Sequence, residues 1–390
     1  MTILNDMKEW KEYKMGDVFA YLKSGKGIHA NEISPKGKYP VFGGNGLRGY
    51  TTRNNFEGDC AIIGRQGAFC GNVRYFKGKA YMTEHAIIAV ANENNSTRFL
   101  AYLLSIMNLG RFSSQSAQPG LSVTELAKQS IRIPSLSVQK KIANILSSLD
   151  DKIELNRRIN DNLEQQVQAL FKLWFVDNSN PNWKETSLSE VASFVGGYSY
   201  TGEELTDCSN IAMATIKNFG RNGGFKTDGF KEINPSAKLK ECHYANLFDI
   251  LVAHTDLTQN ADVIGNAELL LTYGKYDSII FSMDLVKVLP KETFPYRFLL
   301  AAMLKNKLFK GHCLGYVNGT TVLHLSKKAL PDFEIRKPSD SESKMMDEVL
   351  ASYYKRMAEL LQENDRLISL RDTVLPTLIS GELKINDLNS

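Results

Sequence analysis

The sequence predicts an α+β protein in which two mixed α/β blocks alternate with two long helices. Three observations lead to this fold class: a long helical pattern near the middle of the chain, a second one near its C-terminal end, and a short motif that occurs twice. With 390 residues, of which 43% are hydrophobic and 23% charged, the chain suits two domains with cores of ordinary size. We therefore expect an internal repeat, with two similar halves that each contain a mixed block and a long helix.

The central pattern covers residues 138–175, where no Gly or Pro interrupts the chain. Apolar residues recur there at steps of three and four, which predicts one helix with a coiled-coil seam about 57 Å long. The seam positions are Ile142, Leu146, Leu149, Ile153, Ile159, Leu163, Val167, Leu170 and Trp174. A helix of this length needs a partner along its apolar face.

The partner is predicted at residues 342–375, where the same spacing returns. Its seam positions are Met346, Val349, Tyr353, Met357, Leu360, Leu367 and Val374. We expect the two helices to pair antiparallel, with Asn156, Asn160 and Asn364 fixing the register as polar seam residues do. Ser339 and Glu342 have the spacing of a capping box, which marks the start of the second helix.

The motif WKEYKMGDV at residues 10–18 returns as WKETSLSEV at residues 183–191, and each copy opens a block. Short runs rich in Val, Ile and aromatic residues predict strands in both blocks, and helices are expected at residues 97–109 and 295–309. Each block leaves through a Pro-Ser pair. The predicted division is a first domain at 1–136, a central helix at 137–178, a second domain at 179–339, and a distal helix with a tail at 340–390.

Charge is distributed unevenly over these parts. Residues 1–136 contain 17 basic and 10 acidic residues, whereas residues 340–390 contain 6 basic and 10 acidic ones. A basic first block is compatible with phosphate binding, although a net charge of this size also occurs in enzymes. The five cysteines show no CxxC spacing, and neither a signal segment nor an apolar run of about 20 residues is present, so we expect a cytoplasmic protein with reduced thiols.

Two similar blocks held apart by a helical pair would contact a linear ligand at two places, and DNA is such a ligand. The segments INDNLEQQVQALFKLWFVD (Ile159 to Asp177) and LRDTVLPTLISGEL (Leu370 to Leu383) resemble the central and distal conserved regions of specificity subunits of type I restriction-modification enzymes. YPVFGGNGLRGY with IGRQGAFCGNV also resembles one class of first recognition domain. The second block has no signature that can be placed.

This resemblance implies a non-catalytic DNA-binding subunit that recognises an asymmetric bipartite target in double-stranded DNA. It also implies partners: two adenine-N6 methyltransferase subunits, and restriction subunits in a full complex. S-adenosylmethionine, ATP and magnesium would belong to those partners, and no cofactor or metal is expected in this chain.

Two other function classes remain open from the residues alone: a single-chain enzyme acting on nucleic acid, and a coiled-coil scaffold with two protein-binding heads. The segments that resemble enzyme motifs each lack a residue or a spacing that the motif requires. Residues 180–183 lack the second proline of an amino-methyltransferase motif, and GRNGGFKT (Gly220 to Thr227) lacks phosphate-loop spacing. The adjacent pairs Cys242-His243 and His312-Cys313 do not form a zinc corner.

Direct base recognition uses Arg or Lys for guanine and Asn or Gln for adenine, with small polar groups for phosphate. In the first block the candidates are Asn45, Arg48, Tyr50, Thr51, Arg53, Arg65, Gln66, Arg74, Lys77 and Lys79. In the second block they are Tyr198, Tyr200, Lys217, Asn218, Arg221, Asn222, Lys226, Thr258, Gln259 and Asn260. The segments SSQSAQPG and GYVNGTT are equally compatible with the DNA face and with ordinary loops. Solvated turns are the alternative for all of these positions.

Overall fold

The computed structural model describes residues 10–113 and 120–383, and the chain divides into two units. Unit 1 comprises residues 1–152 and 367–390, and unit 2 comprises residues 153–366. The helices are α1 (Met15–Val18), α2 (Thr97–Ile106), α3 (Val123–Ala127), α4 (Leu136–Lys172), α5 (Leu188–Val191), α6 (Arg297–Leu304), α7 (Lys307–Leu314) and α8 (Asp340–Ser380). Both units mix helices with sheets, so the α+β class is confirmed.

Unit 1 contains a six-stranded sheet in the order β2-β7-β5-β6-β3-β4 and a small sheet of β1 and β8. Its strands are β1 (Lys11–Lys14), β2 (Phe19–Ser24), β3 (Tyr39–Gly43), β4 (Gly46–Thr51), β5 (Phe56–Gly64), β6 (Val73–Met82), β7 (Ala86–Ala91) and β8 (Ser130–Ile133). The apolar runs of β5 and β7 are fully buried, because helix α2 packs on the sheet there. Ser96 caps α2 by accepting a hydrogen bond from Phe99 N.

Unit 2 contains two four-stranded sheets, ordered β10-β18-β14-β16 and β12-β11-β17-β13, a three-stranded sheet ordered β15-β20-β19, and a pair of β9 and β21. Its strands are β9 (Lys184–Ser187), β10 (Ala192–Gly196), β11 (Ile211–Ala214), β12 (Lys231–Glu232), β13 (Tyr244–Ala245), β14 (Ile250–Ala253), β15 (Thr255–Asp256), β16 (Ala267–Leu269), β17 (Ser278–Phe281), β18 (Leu285–Pro290), β19 (Val317–Asn318), β20 (Leu323–Leu325) and β21 (Glu334–Lys337).

The long helices pair antiparallel within each unit, as the sequence predicts. In unit 2, Asn156 of α4 bonds to Asn364 of α8, and Asn160 bonds to Met357 O at 3.4 Å, so the partner number falls as the α4 number rises. In unit 1, Ile142 and Leu146 share a core with Leu378 and Ile379.

The seam of α8 is shifted by one position from the prediction over part of its length. Leu350 and Tyr354 are fully buried, whereas the predicted Val349 and Tyr353 are only half-buried. The sequence spacing is compatible with either pair of residues in the seam, because all four positions are apolar or aromatic. Packing in the core of unit 2, where Tyr354 stacks on Phe298 of α6, selects the buried set, and the sequence pattern cannot represent this contact.

Other boundaries also differ from the sequence predictions. The helix expected at 295–309 is two helices, α6 and α7, because the side chain of Asn306 accepts hydrogen bonds from Leu308 N and Phe309 N and starts a new helix. The last turn after α4 is a π-helix at Leu173–Asp177. The run SIIFSMDLVKVL forms two strands in different sheets, β17 and β18.

The repeat is visible in the two small sheets. Glu12 pairs with Arg132 across β1 and β8, and Glu185 pairs with Arg336 across β9 and β21. Each first strand is followed by a one-turn helix, α1 or α5, and each second strand by a Pro-Ser pair and a long helix. The first and last strands of each block are therefore neighbours, with the same register in both copies.

Candidate nucleic-acid interface

In unit 1, polar and basic side chains gather around the glycine turn Gly43–Gly46 between β3 and β4. Gly46 has a φ of +96°, and an added Cβ there would overlap the Arg74 guanidinium. A Cβ on Gly43 would lie 2.8 Å from Arg48 Cδ. The positive φ therefore favours glycine at Gly46, and the Arg74 guanidinium lies directly against this residue.

A second group of side chains borders the same turn from the loop after β5. A Cβ on Gly44 would lie 3.0 Å from His85 O and 3.6 Å from Arg65 N. Gln66 Oε1 and His85 Nδ1 are 2.9 Å apart, and Arg65 Nη1 donates to Glu84 O at 3.4 Å. His85 was missed from the sequence, because a lone histidine before a strand gives no motif.

This arrangement, which we call the unit 1 cluster, consists of Asn45, Arg48, Arg65, Gln66 and Arg74. Asn45, Arg48, Gln66 and Arg74 are exposed, and Arg65 is half-buried. Within residues 10–113 and 120–383, neither Arg48 nor Arg74 has an ion-pair partner. Arg74 also lines a cavity of about 480 Å³ with Asn72, Ser105 and Asn108. The cluster offers uncompensated positive charge and amide groups, as base and phosphate recognition require.

The other unit 1 candidates lie apart from this turn or are engaged elsewhere. Arg53 forms an ion pair with Glu32 at 2.7 Å, and Lys79 forms one with Glu57 at 3.1 Å. Lys77 and Lys79 are exposed, but the register places Lys79 opposite Glu57 and Arg74 opposite Ile62. Lys79 is therefore five residues from Arg74 along β6, a distance of roughly 17 Å. Tyr50 is half-buried, and its backbone pairs with Ser34.

In unit 2, the loop from Gly220 to Lys226 presents Arg221 and Asn222 at an exposed tip. Gly223 and Gly224 have φ values of +88° and +89°, which favour glycine. Phe219 and Phe225 close the base of the loop through a β-bridge, with ring centroids 5.8 Å apart. The loop is thus a defined turn, which agrees with its lack of phosphate-loop spacing.

A second loop, at residues 256–264, is organised around the buried Asp256. Its carboxylate accepts hydrogen bonds from Thr258 N and Oγ1, each at 2.8 Å, from Val263 N at 2.6 Å and from Ile264 N at 3.2 Å. Burial opposes ionisation of this group, but the hydrogen bonds outweigh it and hold the pKa of Asp256 below its ordinary value. The loop therefore keeps one shape while Gln259 and Asn260 stay exposed.

Side-chain contacts join three loops of unit 2. Arg221 Nε lies 3.4 Å from Asp262 Oδ2, and Gln259 Nε2 donates to Thr320 O at 2.5 Å. The segment GYVNGTT therefore lies beside the loop at residues 256–264, which also contacts the Gly220–Lys226 loop. We call Arg221, Asn222, Thr258, Gln259 and Asn260 the unit 2 cluster. Of SSQSAQPG, residues 114–119 lie outside the described residues.

Three candidates are buried, so the structure contradicts their assignment as DNA contacts. Tyr198 is 1% exposed, and its hydroxyl donates to Glu204 Oε1 at 2.5 Å. Asn218 is fully buried and fixes its own turn by donating to Lys226 O at 2.6 Å. Thr51 is 3% exposed in β4. The sequence misled here because polar residues in Gly-rich segments serve the turn as often as a ligand.

Of the remaining unit 2 candidates, Lys226 ends the Gly220–Lys226 loop, whereas Lys217 and Tyr200 lie outside the joined loops. Lys217 and Lys226 are exposed, and Tyr200 is half-buried with Lys231 Nζ 5.8 Å from its ring centroid. These three side chains border the turn that Asn218 fixes or the neighbouring strand β12.

The features that suggested an enzyme have structural roles in the described chain. Trp183 Nε1 donates to Glu342 at 3.0 Å, and His312 Nε2 lies 2.8 Å from Ala329 O. His243 Nδ1 accepts a hydrogen bond from Lys240 N at 3.1 Å. Residues 10–113 and 120–383 contain no group of three or more His, Cys, Asp or Glu that could hold a metal ion. In the same residues no helix is long and apolar enough to span a membrane.

Comparison with known proteins finds similar sequences. Residues 7–165 match the type I restriction modification DNA specificity domain. The chain is 37% identical over 154 residues to the EcoprrI specificity subunit of Escherichia coli, a match that covers 38% of each protein. It is 26% identical over 327 residues to the HindI specificity subunit of Haemophilus influenzae, covering 68% of this chain and 71% of that protein.

The fold has a counterpart among solved structures. The type I restriction-modification S subunit from M. genitalium superimposes with a TM-score of 0.57 at 18% identity, covering 95% of this chain and 96% of that one. At this identity the likeness concerns the fold, including its mixture of sheets and long helices. The chain is thus similar in sequence to specificity subunits of type I restriction-modification enzymes, its residues 7–165 match the DNA specificity domain, and its fold is similar to that of an S subunit.

Proposed function

We propose that this chain recognises an asymmetric bipartite DNA target for a type I restriction-modification complex and has no catalytic site of its own. The observation that carries the proposal is the unit 1 cluster, in which Arg48 and Arg74 approach one glycine turn and lack ion-pair partners in the described chain. Arginines of this kind recognise guanine or phosphate. The unit 2 cluster offers a different set of side chains, which supports two unlike half-sites.

The proposed domains are residues 1–136 and 179–339 for recognition, with residues 137–178 and 340–390 as helical segments that set the unread spacer. The first half-site would be recognised by the unit 1 cluster and the second by the unit 2 cluster. Inserting about four residues, roughly one helical turn, into both long helices should lengthen the spacer and leave both half-sites unchanged.

The proposed partners are double-stranded DNA, two adenine-N6 methyltransferase subunits and, in a full complex, restriction subunits. Leu173 and Val176, which are 44% and 54% exposed after the end of α4, supply apolar surface of the kind that a protein partner covers. S-adenosylmethionine, ATP and magnesium are assigned to the partner subunits. We place the complex in the cytoplasm, where these substrates and DNA occur together.

The deciding experiment co-expresses the full chain with a candidate methyltransferase subunit and maps N6-methyladenine across genomic DNA. We expect a two-part motif with a fixed gap. Exchanging residues 1–136 for those of a relative should change one half of the motif and keep the other. Methylation that does not respond to this exchange would contradict the proposal.

Two controls separate the alternative functions. The purified chain alone, given DNA with S-adenosylmethionine or with magnesium, should neither methylate nor cut it, and either activity would favour a single-chain enzyme. The chain in complex with the methyltransferase should prefer one DNA sequence over others. Equal binding to all sequences would favour a protein scaffold.

A further inference from the structure

Beneath the tip that carries Arg221 and Asn222, a buried carboxylate reaches the loop backbone. Glu268 of β16 is 4% exposed, and its Oε1 accepts a hydrogen bond of 2.5 Å from Gly224 N. Asn266, two residues earlier, donates from Nδ2 to Gly220 O at 2.9 Å. The loop backbone is therefore held at Gly220 and at Gly224 by two side chains, one just before β16 and one within it.

Glu268 is itself held by a lysine. Lys305 Nζ lies 2.6 Å from Glu268 Oε2 and 3.1 Å from Glu164 Oε2. Lys305 follows α6, and Glu164 belongs to the long helix α4. Both oxygens of Glu268 are thus occupied, one by the loop amide and one by the ammonium group.

The charge balance keeps this contact ionic. Burial opposes the charge on Lys305, but the adjacent carboxylates of Glu268 and Glu164 raise its pKa above the ordinary value, so the side chain remains an ammonium ion. A buried ion pair holds both side chains in place, because separating them would leave an uncompensated charge in the protein interior. Glu268 is consequently fixed in position when it accepts the Gly224 N–H.

The loop depends on this support for its shape. Gly223 and Gly224 both adopt positive φ, and other conformations are open to them at little cost because glycine is permissive there. Gly220 N donates to Gly224 O at 2.8 Å, which closes the turn but does not orient it on the domain. Asn218 holds the Lys226 end of the loop, and Asn266, Glu268 and the Arg221–Asp262 pair orient the rest of it.

We propose that Glu268 and Asn266 are positioning residues for sequence recognition, which fix the Gly220–Lys226 loop so that Arg221 and Asn222 meet their base pairs in one geometry. Lys305 and Glu164 connect this support to the long helix α4. Neither Glu268 nor Asn266 needs to contact DNA for this role. The inference rests on the proposed function for its consequence in DNA recognition, while its structural part concerns the loop alone.

The test compares the full chain with Glu268→Ala and Asn266→Ala, each purified with the candidate methyltransferase subunit. Preferred sequences are selected from duplex DNA with random positions, and hydrogen exchange is measured over residues 220–226. The matched control is Glu232→Ala, because Glu232 also lies on a strand of unit 2 and bonds to a lysine, Lys275, without contacting this loop.

We expect both loop variants to exchange amide hydrogens in residues 220–226 at least about ten-fold faster, since local opening becomes easier. Discrimination at one or more positions of one half-site should fall about ten-fold, within the usual range for one base pair. The other half-site is an internal control and should not change. Glu232→Ala should leave both half-sites and the loop exchange as in the wild type.

Unchanged preference at both half-sites, with faster loop exchange, would overturn the positioning role. Unchanged exchange would overturn the structural part. If Glu268→Ala does not fold, Asn266→Ala decides, because it removes the bond to Gly220 without disturbing an ion pair. A wild-type complex without any sequence preference would instead contradict the proposed function, and the exchange measurement would still test the support of the loop.

Discussion

Asn156 of the first long helix donates a hydrogen bond of 3.0 Å to Asn364 Oδ1 of the second, and both side chains are buried in an otherwise apolar seam. Asn156 Nδ2 also lies 2.9 Å from Glu363 Oε2. A polar pair in such a seam opposes sliding, because any other register would bury the amides without partners. The hydrogen bond between these two residues therefore fixes the register in which the two helices pair.

The first prediction follows from this pair. Asn364→Ala should lower the free energy of unfolding by about 1 to 3 kcal/mol, since Asn156 loses a buried partner. The double substitution Asn156→Leu with Asn364→Leu should recover most of that loss, because an apolar pair needs no partner. Urea denaturation followed by circular dichroism measures both. Asn144→Ala, at an exposed position of α4, is the control and should be nearly neutral.

The second prediction concerns the start of α8. The Ser339 hydroxyl lies 2.6 Å from Glu342 Oε2, and Ser339 N donates to the same oxygen at 2.9 Å. Ser339→Ala should cost about 1 kcal/mol at neutral pH, as the loss of an N-cap usually does. The capping box predicted from the sequence is thus confirmed and can be tested by thermal denaturation.

The same contact predicts a pH dependence. The hydrogen bonds from Ser339, followed by that from Trp183, hold the pKa of Glu342 below its ordinary value in the folded state. A lowered folded pKa stabilises the protein above the unfolded pKa, and this contribution is lost as the pH falls through the folded value. The stability difference between wild type and Ser339→Ala should therefore shrink in acid. A difference that grows on acidification would contradict this assignment.

The third prediction concerns the unit 1 cluster. Arg74→Ala should weaken DNA binding and, if the guanidinium contacts phosphate, reduce the salt dependence of log K by about one counterion. If it contacts a base, discrimination at one position should fall by about 1 to 3 kcal/mol. Binding assays over a range of salt concentrations distinguish the two. Arg132→Ala is the control, because Arg132 is exposed on β8, opposite Glu12, and should change neither quantity.

The fourth prediction tests the reassignment of Tyr198. Its hydroxyl bonds to Glu204 and lies 3.0 Å from Ser236 Oγ, and these bonds, with backbone donors, lower the pKa of Glu204 to about 2. Tyr198→Phe should lower the melting temperature and reduce the part of stability that is lost as the pH falls toward 2. DNA affinity at neutral pH should stay within error of wild type. A specific loss of affinity without a change in melting temperature would restore Tyr198 as a contact.

The long helices were predictable because their evidence is local: apolar spacing, uninterrupted length and a capping box all lie within a few turns. The burial of Leu350 in place of Val349 was not predictable, because tertiary packing in the core of unit 2 selects which apolar positions of α8 are buried. The break before α7 was missed because Asn306 gives a capping signal without Gly or Pro.

The candidate site divides in a similar way. Residue types identified the glycine turn and Arg48 beside it, but the approach of Arg74 to Gly46 is visible only in the structure. They could not identify Glu268, which is distant in sequence from Gly224 and lies in an apolar run. Nor could they separate Asn218, which is consumed by its own turn, from the exposed Asn222. Which polar side chains form hydrogen bonds within the protein, and so are not available to a ligand, depends on the tertiary structure.

The matched small sheets have a consequence for how such a chain can change. Each block begins and ends on adjacent antiparallel strands of one register, with Glu12 opposite Arg132 and Glu185 opposite Arg336. The end strands therefore fix where the chain enters and leaves each block, while side chains from inside the block, such as Phe99 and Phe298, also pack on the long helices. We expect a block to be exchangeable as a unit when its new contents keep both the end strands and these packing side chains.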